Sequence, residues 1–275
     1  MGEGVLNVSR EELFRTAVPV TGVGVSVTHK IFPCPSLNES AMSGTLMLQN
    51  LPSIVAVDIL GKGALLLFYY FIAASDPSPG ERVLDMCAAP GGKTAHIAAR
   101  MDNSGVVIAF DKSDSKIAAI MRNCIQFGIT NVKAFVMDGT KSVMEKSVDT
   151  PDTQSHVSHV SPPYPEQYFD RILLDAPCSG LGQRPQFYNK IKMKELRSFP
   201  KIQRKLFSSA VRLLRRGGVL VYSTCTNNSE ENEHIVSWAA GQFKCLDIQM
   251  TQSFGHPESA TDTITFFIAK FTKTR

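Results

Sequence analysis

The sequence predicts a doubly wound α/β domain, and three observations carry that expectation. First, a short apolar run, Arg82-Val83-Leu84, passes through Asp85 into a turn holding Pro90, Gly91 and Gly92, and a small-residue helical pattern follows from Ala95 to Arg100. Strand, glycine-rich turn and helix in that order open such domains: the glycines let backbone approach a ligand, and the helix start offers free N–H groups. Second, strand patterns over 105–110 and 132–137 flank a helical pattern over 114–127 and run into Asp111 and Asp138. Third, Phe169–Asp175 and Gly217–Cys225 read as two further buried strands.

The identity of the ligand follows from which templates fail. A phosphate-binding loop G-x-x-x-x-G-K-[ST] would align Gly92-Lys93-Thr94 but would place its first glycine at Cys87, which argues against an NTPase. The dinucleotide pattern G-x-G-x-x-G is absent as well. What remains is an acid at the strand end, Asp85, followed by glycines and a helix. Asp111 lies about 20 residues beyond Gly91, where an acid meets ribose hydroxyls. One strand-end Asp can simply start a turn. Three in succession point to an adenosine-bearing cofactor laid across the carboxyl edge of the sheet.

With 275 residues, 43% hydrophobic and 20% charged, the chain has the composition of a soluble protein with one sizeable core. The net charge of +4 leans toward a polyanionic partner. Six cysteines, none in C-x-x-C spacing, argue against zinc, and with no signal peptide in view the thiols are expected to be reduced and intracellular. A monomer in the cytoplasm is expected, with the nucleus left open.

Along the chain, Ser9-Arg10-Glu11-Glu12 reads as the start of a short helix, Val18–Val27 as strand and turn, and Leu46–Leu60 as a helix interrupted near Pro52. The eleven apolar residues Ala64–Ala74 are too few for the ~20 of a membrane span. The segment 140–168 reads as a polar loop whose His156 and His159 lack carboxylate neighbours, so no metal is expected. Arg184–Arg216 carries eleven Lys/Arg against the single acid Glu195, interleaved with Phe187, Tyr188, Phe199 and Phe207. That bias suits phosphate-backbone contacts better than a merely solvated helix face. Thr263–Phe271 reads as a closing strand, antiparallel at the sheet edge.

Two cysteines stand just past the fourth and fifth strands, in Asp175-Ala-Pro-Cys178-Ser-Gly and Ser223-Thr-Cys225-Thr. If those strands are neighbours, both thiols overhang the cofactor cleft. Methylation of a pyrimidine at C5 needs such parts. A thiolate adding at C6 makes C5 a nucleophile, an acid group near N3 stabilises the developing charge, and a base removes the C5 proton so that the thiol can leave. Cys225, Asp175 and Cys178 are the candidates for nucleophile, acid and releasing group, and the residues alone leave open which cysteine attacks.

At these motifs the sequence resembles the NOL/NOP/SUN RNA cytosine-5 methyltransferases. Asp-x-Cys-Ala-Ala-Pro-Gly-Gly-Lys-Thr, Leu-Leu-Asp-Ala-Pro-Cys-Ser-Gly and Tyr-Ser-Thr-Cys-Thr occur in order, and the resemblance runs through about 81–271. Ser9–Phe14, Leu48–Pro52, Asp138–Lys141, Gln203–Phe207 and Phe266–Phe271 are similar to the branch of the family's sixth member, which methylates certain transfer RNAs and some messenger RNAs. The resemblance implies a Rossmann-like fold dependent on S-adenosyl-L-methionine, with a mostly parallel seven-stranded sheet, helices on both faces and a small N-terminal segment. It implies Cys225 as nucleophile, Cys178 in product release, Asp175 at the target base and as a cofactor ligand, and Lys93 facing both base and cofactor. Cys87, Ala88, Ala89, Pro90, Gly91, Gly92, Asp111 and Asp138 are the further cofactor-binding residues it implies. RNA, with tRNA first and mRNA second, is the implied partner of the 184–216 region, and no membrane is.

The same resemblance divides the chain into 1–75, holding the end of a PUA domain (about 1–10) and an N-terminal lobe, and 76–275, the methyltransferase domain. An inactive RNA- or cofactor-binding fragment is the alternative, because a largely missing PUA domain and an atypical block at 61–75 could leave binding without turnover. Removing that block joins Leu60 to Asp76, the connection the family pattern expects. It is therefore expected to be an unspliced or misannotated segment, and sequencing the transcripts should find most of them without those fifteen codons.

Overall fold

A computed structural model describes residues 17–20, 24–27, 53, 55–57, 80–145, 161–183, 191–255 and 264–274. The expected helix at Ser9–Phe14, the block at 61–75 and the aromatic residues Phe187 and Tyr188 lie outside these. Ala17–Val20 (β1) and Gly24–Val27 (β2) pair antiparallel, the strand and turn expected there. Ser53 and residues 55–57 are helical.

The main sheet has seven strands: Arg82–Asp85 (β3), Val106–Asp111 (β4), Val132–Val136 (β5), Phe169–Asp175 (β6), Leu214–Thr224 (β7), Leu246–Phe254 (β8) and Phe266–Lys273 (β9). Their spatial order is β5-β4-β3-β6-β7-β9-β8. All neighbours are parallel except that β9 runs antiparallel between β7 and β8. The chain winds outward from β3 to β5 and then returns to β6 on the other side of β3. That reversal opens a crevice at the carboxyl ends of β3 and β6, where doubly wound sheets bind ligands.

Helices cover both faces, and strand alternation decides which residues face which. Val83, Val107, Ala109, Leu173, Val219, Val221 and Ile268 point to one side, where Gly92–Arg100 (α1) and Asp114–Gln126 (α2) contribute Ile97, Ile120 and Cys124. Leu84, Ile108, Phe110, Ile172, Leu174, Leu220, Tyr222 and Phe271 point to the other. There Phe199–Leu213 (α4, preceded by the short Met193–Leu196, α3) and Glu233–Gln242 (α5) pack. Gln203, Leu206, Phe207, Ala210 and Val211 follow the i, i+3, i+4, i+7, i+8 rhythm of a core stripe, and all are buried. Among the described residues, no helix is long and apolar enough to cross a membrane.

One expectation needs correction and two features were not foreseen. β9 is not an edge strand, because β8 lies outside it. β8 itself was unforeseen: its middle residues are mostly exposed, so Leu246–Phe254 lacks the apolar signature of a buried strand. Finally, the described part of the basic segment divides between the two ends of the sheet. α4 descends from the carboxyl edge and ends directly before β7, so Arg212 and Arg215 reach the opposite edge. There they pair with Glu166 at 2.8 Å and Asp170 at 2.6 Å. Lys192, Lys194, Arg197, Lys201 and Lys205, nearer the crevice, are exposed.

Phe207 anchors the second face. Its ring meets those of Tyr222, Trp238, Phe243 and Phe271 with centroids 5.2–6.1 Å away. Phe207→Ala should therefore lower the unfolding free energy by about 3–5 kcal/mol, as read by denaturant titration; a loss below about 1 kcal/mol would show that the cluster does not hold α4 to the sheet.

Candidate active site

The turn after β3 is pinned at each step. Met86 donates its N–H to Leu173 O and Ala88 donates to Phe110 O, both at 2.9 Å. Ala89 N–H donates to Asp111 Oδ2 at 3.2 Å, and Pro90 O accepts from Asn123 Nδ2 at 2.8 Å. Gly91, at φ +104, stands in the left-handed region, and a Cβ there would come within 3.1 Å of the Ile120 Cα. Glycine is needed both for the bend and for the close approach of α2. Gly92 opens α1, which brings Lys93 into the crevice. Cys87 packs partly buried against the second-face core, and burial pushes its thiol well above the ordinary range.

Asp111 accepts from the N–H groups of both Ala89 and Lys112 and lies 3.1 Å from Lys116 Nζ. Asp138, two residues past β5, takes both the N–H and the hydroxyl of Thr140. Burial alone would raise its carboxyl, but those bonds and Lys112 hold it below its usual value. The expected cofactor residues other than Asp175, which ends β6, thus fall on one turn and at two neighbouring strand ends.

The second group gathers where β6 and β7 end. Asp175 Oδ2 accepts from Lys93 Nζ at 2.7 Å, and Oδ1 accepts from Ser223 Oγ at 2.6 Å. Burial presses the Lys93 ammonium down, but the Asp175 carboxylate more than offsets it and holds the charge on. The ammonium also lies 5.4 Å from the centre of the Phe266 ring. Cys178 and Cys225 place their sulfurs 3.4 Å apart, so the thiols expected to share the cleft do so. Their hydrogen bond splits them. It lowers the Cys225 thiol below its usual value, against burial and Asp175 and with help from Gln183 and Lys93; it pushes the Cys178 thiol far up. The lowered thiol is the more readily ionised of the pair.

Several contributors carried no sequence signal. Gln183 Nε2 reaches Cys225 Sγ at 3.5 Å. Gly182 N–H donates to Cys225 O, Gly182 O accepts from Thr265 N–H, and a Cβ at Gly182 would meet Thr265 O at 2.3 Å. Ser223 stood inside a motif already singled out; the others needed the fold to bring them near. Among the described residues, no group of three metal-ligating side chains occurs.

Residues 72–271 match the family profile described as 16S rRNA methyltransferase RsmB/F. The chain belongs to this NOL/NOP/SUN family of methyltransferases. It is 43% identical over 249 residues to the tRNA (cytosine(72)-C(5))-methyltransferase NSUN6 of Homo sapiens, covering 90% of this chain and 48% of that protein. It is 35% identical over 235 residues to the tRNA (cytosine(72)-C(5))-methyltransferase of Pyrococcus horikoshii, covering 85% of this chain and 51% of that one. The crystal structure of NSun6 from Pyrococcus horikoshii with SFG superposes with a TM-score of 0.68 at 33% identity, over 87% of this chain and 56% of that chain. This family member therefore spans about half the length of the curated relatives it matches. The Rossmann-like, mostly parallel seven-stranded fold is the expected one.

Asp85 supplies a pH test of the site. Burial, opposed by the hydroxyl of Thr94 at 2.7 Å, raises its carboxyl from 3.8 to about 7, and its Oδ1 has no hydrogen-bond partner among the described residues. The folded state therefore binds this proton more tightly than the unfolded state does. Its stabilising contribution is present below about pH 4 and is lost as pH rises to about 7. Asp85→Asn keeps an acceptor for Thr94 and removes the titration. The stability of the natural chain relative to this variant should fall across that window by on the order of a few kcal/mol and stay level above about pH 8. Parallel curves in denaturant titrations would refute the assignment.

Proposed function

We propose that the chain is the catalytic part of an RNA cytosine-5 methyltransferase acting on transfer RNA. The observation that carries this is the pair of sulfurs 3.4 Å apart beside the Lys93–Asp175 ion pair. In this reading Cys225 is the nucleophile. Its thiolate forms a bond to C6 of cytosine, while Asp175 contacts the base and holds the Lys93 ammonium, whose positive charge balances the negative charge that builds toward N3. C5 then accepts the methyl group. Loss of the C5 proton to a base breaks the C6–S bond and returns the Cys225 thiolate. Cys178, held protonated, donates to the departing sulfur and so assists product release.

S-adenosyl-L-methionine supplies the electrophilic methyl group when bound. The donor set suits it: the Asp111 and Asp138 carboxylates can accept from ribose hydroxyls and amino groups, and the turn Cys87–Lys93 brings backbone close to a ligand. The relative solved with SFG, an analogue of that cofactor, supports the choice. Exposed Lys192, Lys194, Arg197, Lys201 and Lys205 suit an RNA backbone. The relatives named for tRNA cytosine-C5 methylation favour tRNA as substrate. Residues 76–275 form the methyltransferase domain in this reading.

The test incubates the chain and two variants with methyl-labelled S-adenosylmethionine and total transfer RNA. The natural chain should yield labelled 5-methylcytosine, and Cys225→Ala should lose it by at least about a thousandfold. Cys178→Ala should accumulate protein–RNA adducts that survive denaturing gels. Equal label from the natural chain and Cys225→Ala would assign the wrong nucleophile. Cofactor binding without label from any RNA would favour a non-catalytic binding protein.

A further inference from the structure

Glu231 lies in the 3₁₀ turn Ser229–Glu231, beyond both cysteines in sequence, and its side chain is fully buried. A buried carboxylate is tolerated only when donors surround it. Three do. Oε2 accepts from Ser179 N–H at 2.9 Å and from Gln203 Nε2 at 2.9 Å, and Oε1 accepts from Asn228 Nδ2 at 2.9 Å. The Glu231 backbone oxygen accepts from Tyr222 OH at 2.6 Å.

These contacts converge on Cys178. Its following residue, Ser179, donates to Glu231, while the oxygen of its preceding residue, Pro177, accepts from Gln203 Nε2 at 3.0 Å. The Ser179 hydroxyl also meets Thr226 Oγ1 at 2.7 Å, and Thr226 directly follows Cys225. One carboxylate and one amide thus clamp the peptide units on both sides of Cys178 and tie them to the loop that follows Cys225. We propose that Glu231, acting with Gln203, is a positioning residue that holds the Cys178 thiol within hydrogen-bonding distance of the Cys225 sulfur.

For its catalytic consequence the inference rests on the proposed function; the positioning itself can be read without RNA. The groups facing Cys225 are Cys178, Asp175, Gln183 and Lys93, and the bond from Cys178 is the strongest influence keeping its thiol low. If the clamp opens, that bond lengthens and the thiolate becomes harder to form. Loss of the Glu231 negative charge alone would push the thiol the other way, so an upward shift reports geometry.

The experiment measures iodoacetamide alkylation of Cys225 against pH, resolved by peptide mass, in the natural chain and in Cys178→Ala, Glu231→Ala, Glu231→Gln and Gln203→Ala. The midpoint should rise in Cys178→Ala and follow it in Glu231→Ala and Gln203→Ala. A rise of one unit from near neutrality slows alkylation at pH 7 by about fivefold. Glu231→Gln, which keeps an acceptor for Ser179 and Gln203, should stay close to the natural chain. Gln203→Ala removes no charge and decides the matter if the Glu231 variants do not fold. The proposal is overturned if the variants melt earlier but keep the natural midpoint, or if Cys178→Ala leaves the midpoint unmoved. A shifted midpoint in a chain that methylates no RNA would remove the functional reading and support the positioning.

Discussion

The site depends on one strand pairing. β6 and β7 run side by side with Asp175 opposite Ser223, and each strand ends within a few residues of a cysteine. The same ladder sets Leu174 and Tyr222 toward one core and Leu173 and Val221 toward the other. A slip of one residue would turn the slipped strand's two residues to the wrong side of the sheet. Hydrophobic burial therefore fixes, at no additional energetic cost, where two sulfurs and a carboxylate meet.

Electrostatics then differentiates groups that the fold has merely collected. Two identical thiols become unlike because one donates to the other in a part-buried setting, where a hydrogen bond to an ion counts for more than in water. Which of the two sulfurs attacks is given by the family resemblance; the geometry makes them a hydrogen-bonded pair and is symmetric between them. Lys93 keeps its proton because Asp175 faces it, and Asp175 is steadied in turn by Ser223.

Much of this was legible in the sequence because the signals are local. The glycines of the first turn, the aspartates at strand ends and the cysteines after β6 and β7 each stand beside an apolar run, and strand ends in a parallel sheet share one edge. Elements set by tertiary contact were not legible. β8 is a half-exposed outer strand whose polar residues hide its period, and α5 carried no separate signal. Gln203 stood in a stretch that carried the family resemblance and Glu231 drew no reading; only the fold buries them together. The basic run shows another limit of sequence: contiguous charge is divided between two ends of the domain once α4 descends the sheet.

Gly182 sets a boundary within the segment that follows β6. Its peptide is held between Cys225 and Thr265, leaving no room for a side chain. A side chain at that position would therefore push directly on the backbone that carries Cys225 and Thr265. One backbone contact thus couples the end of the loop after β6 to the spacing of the two loops it lies between.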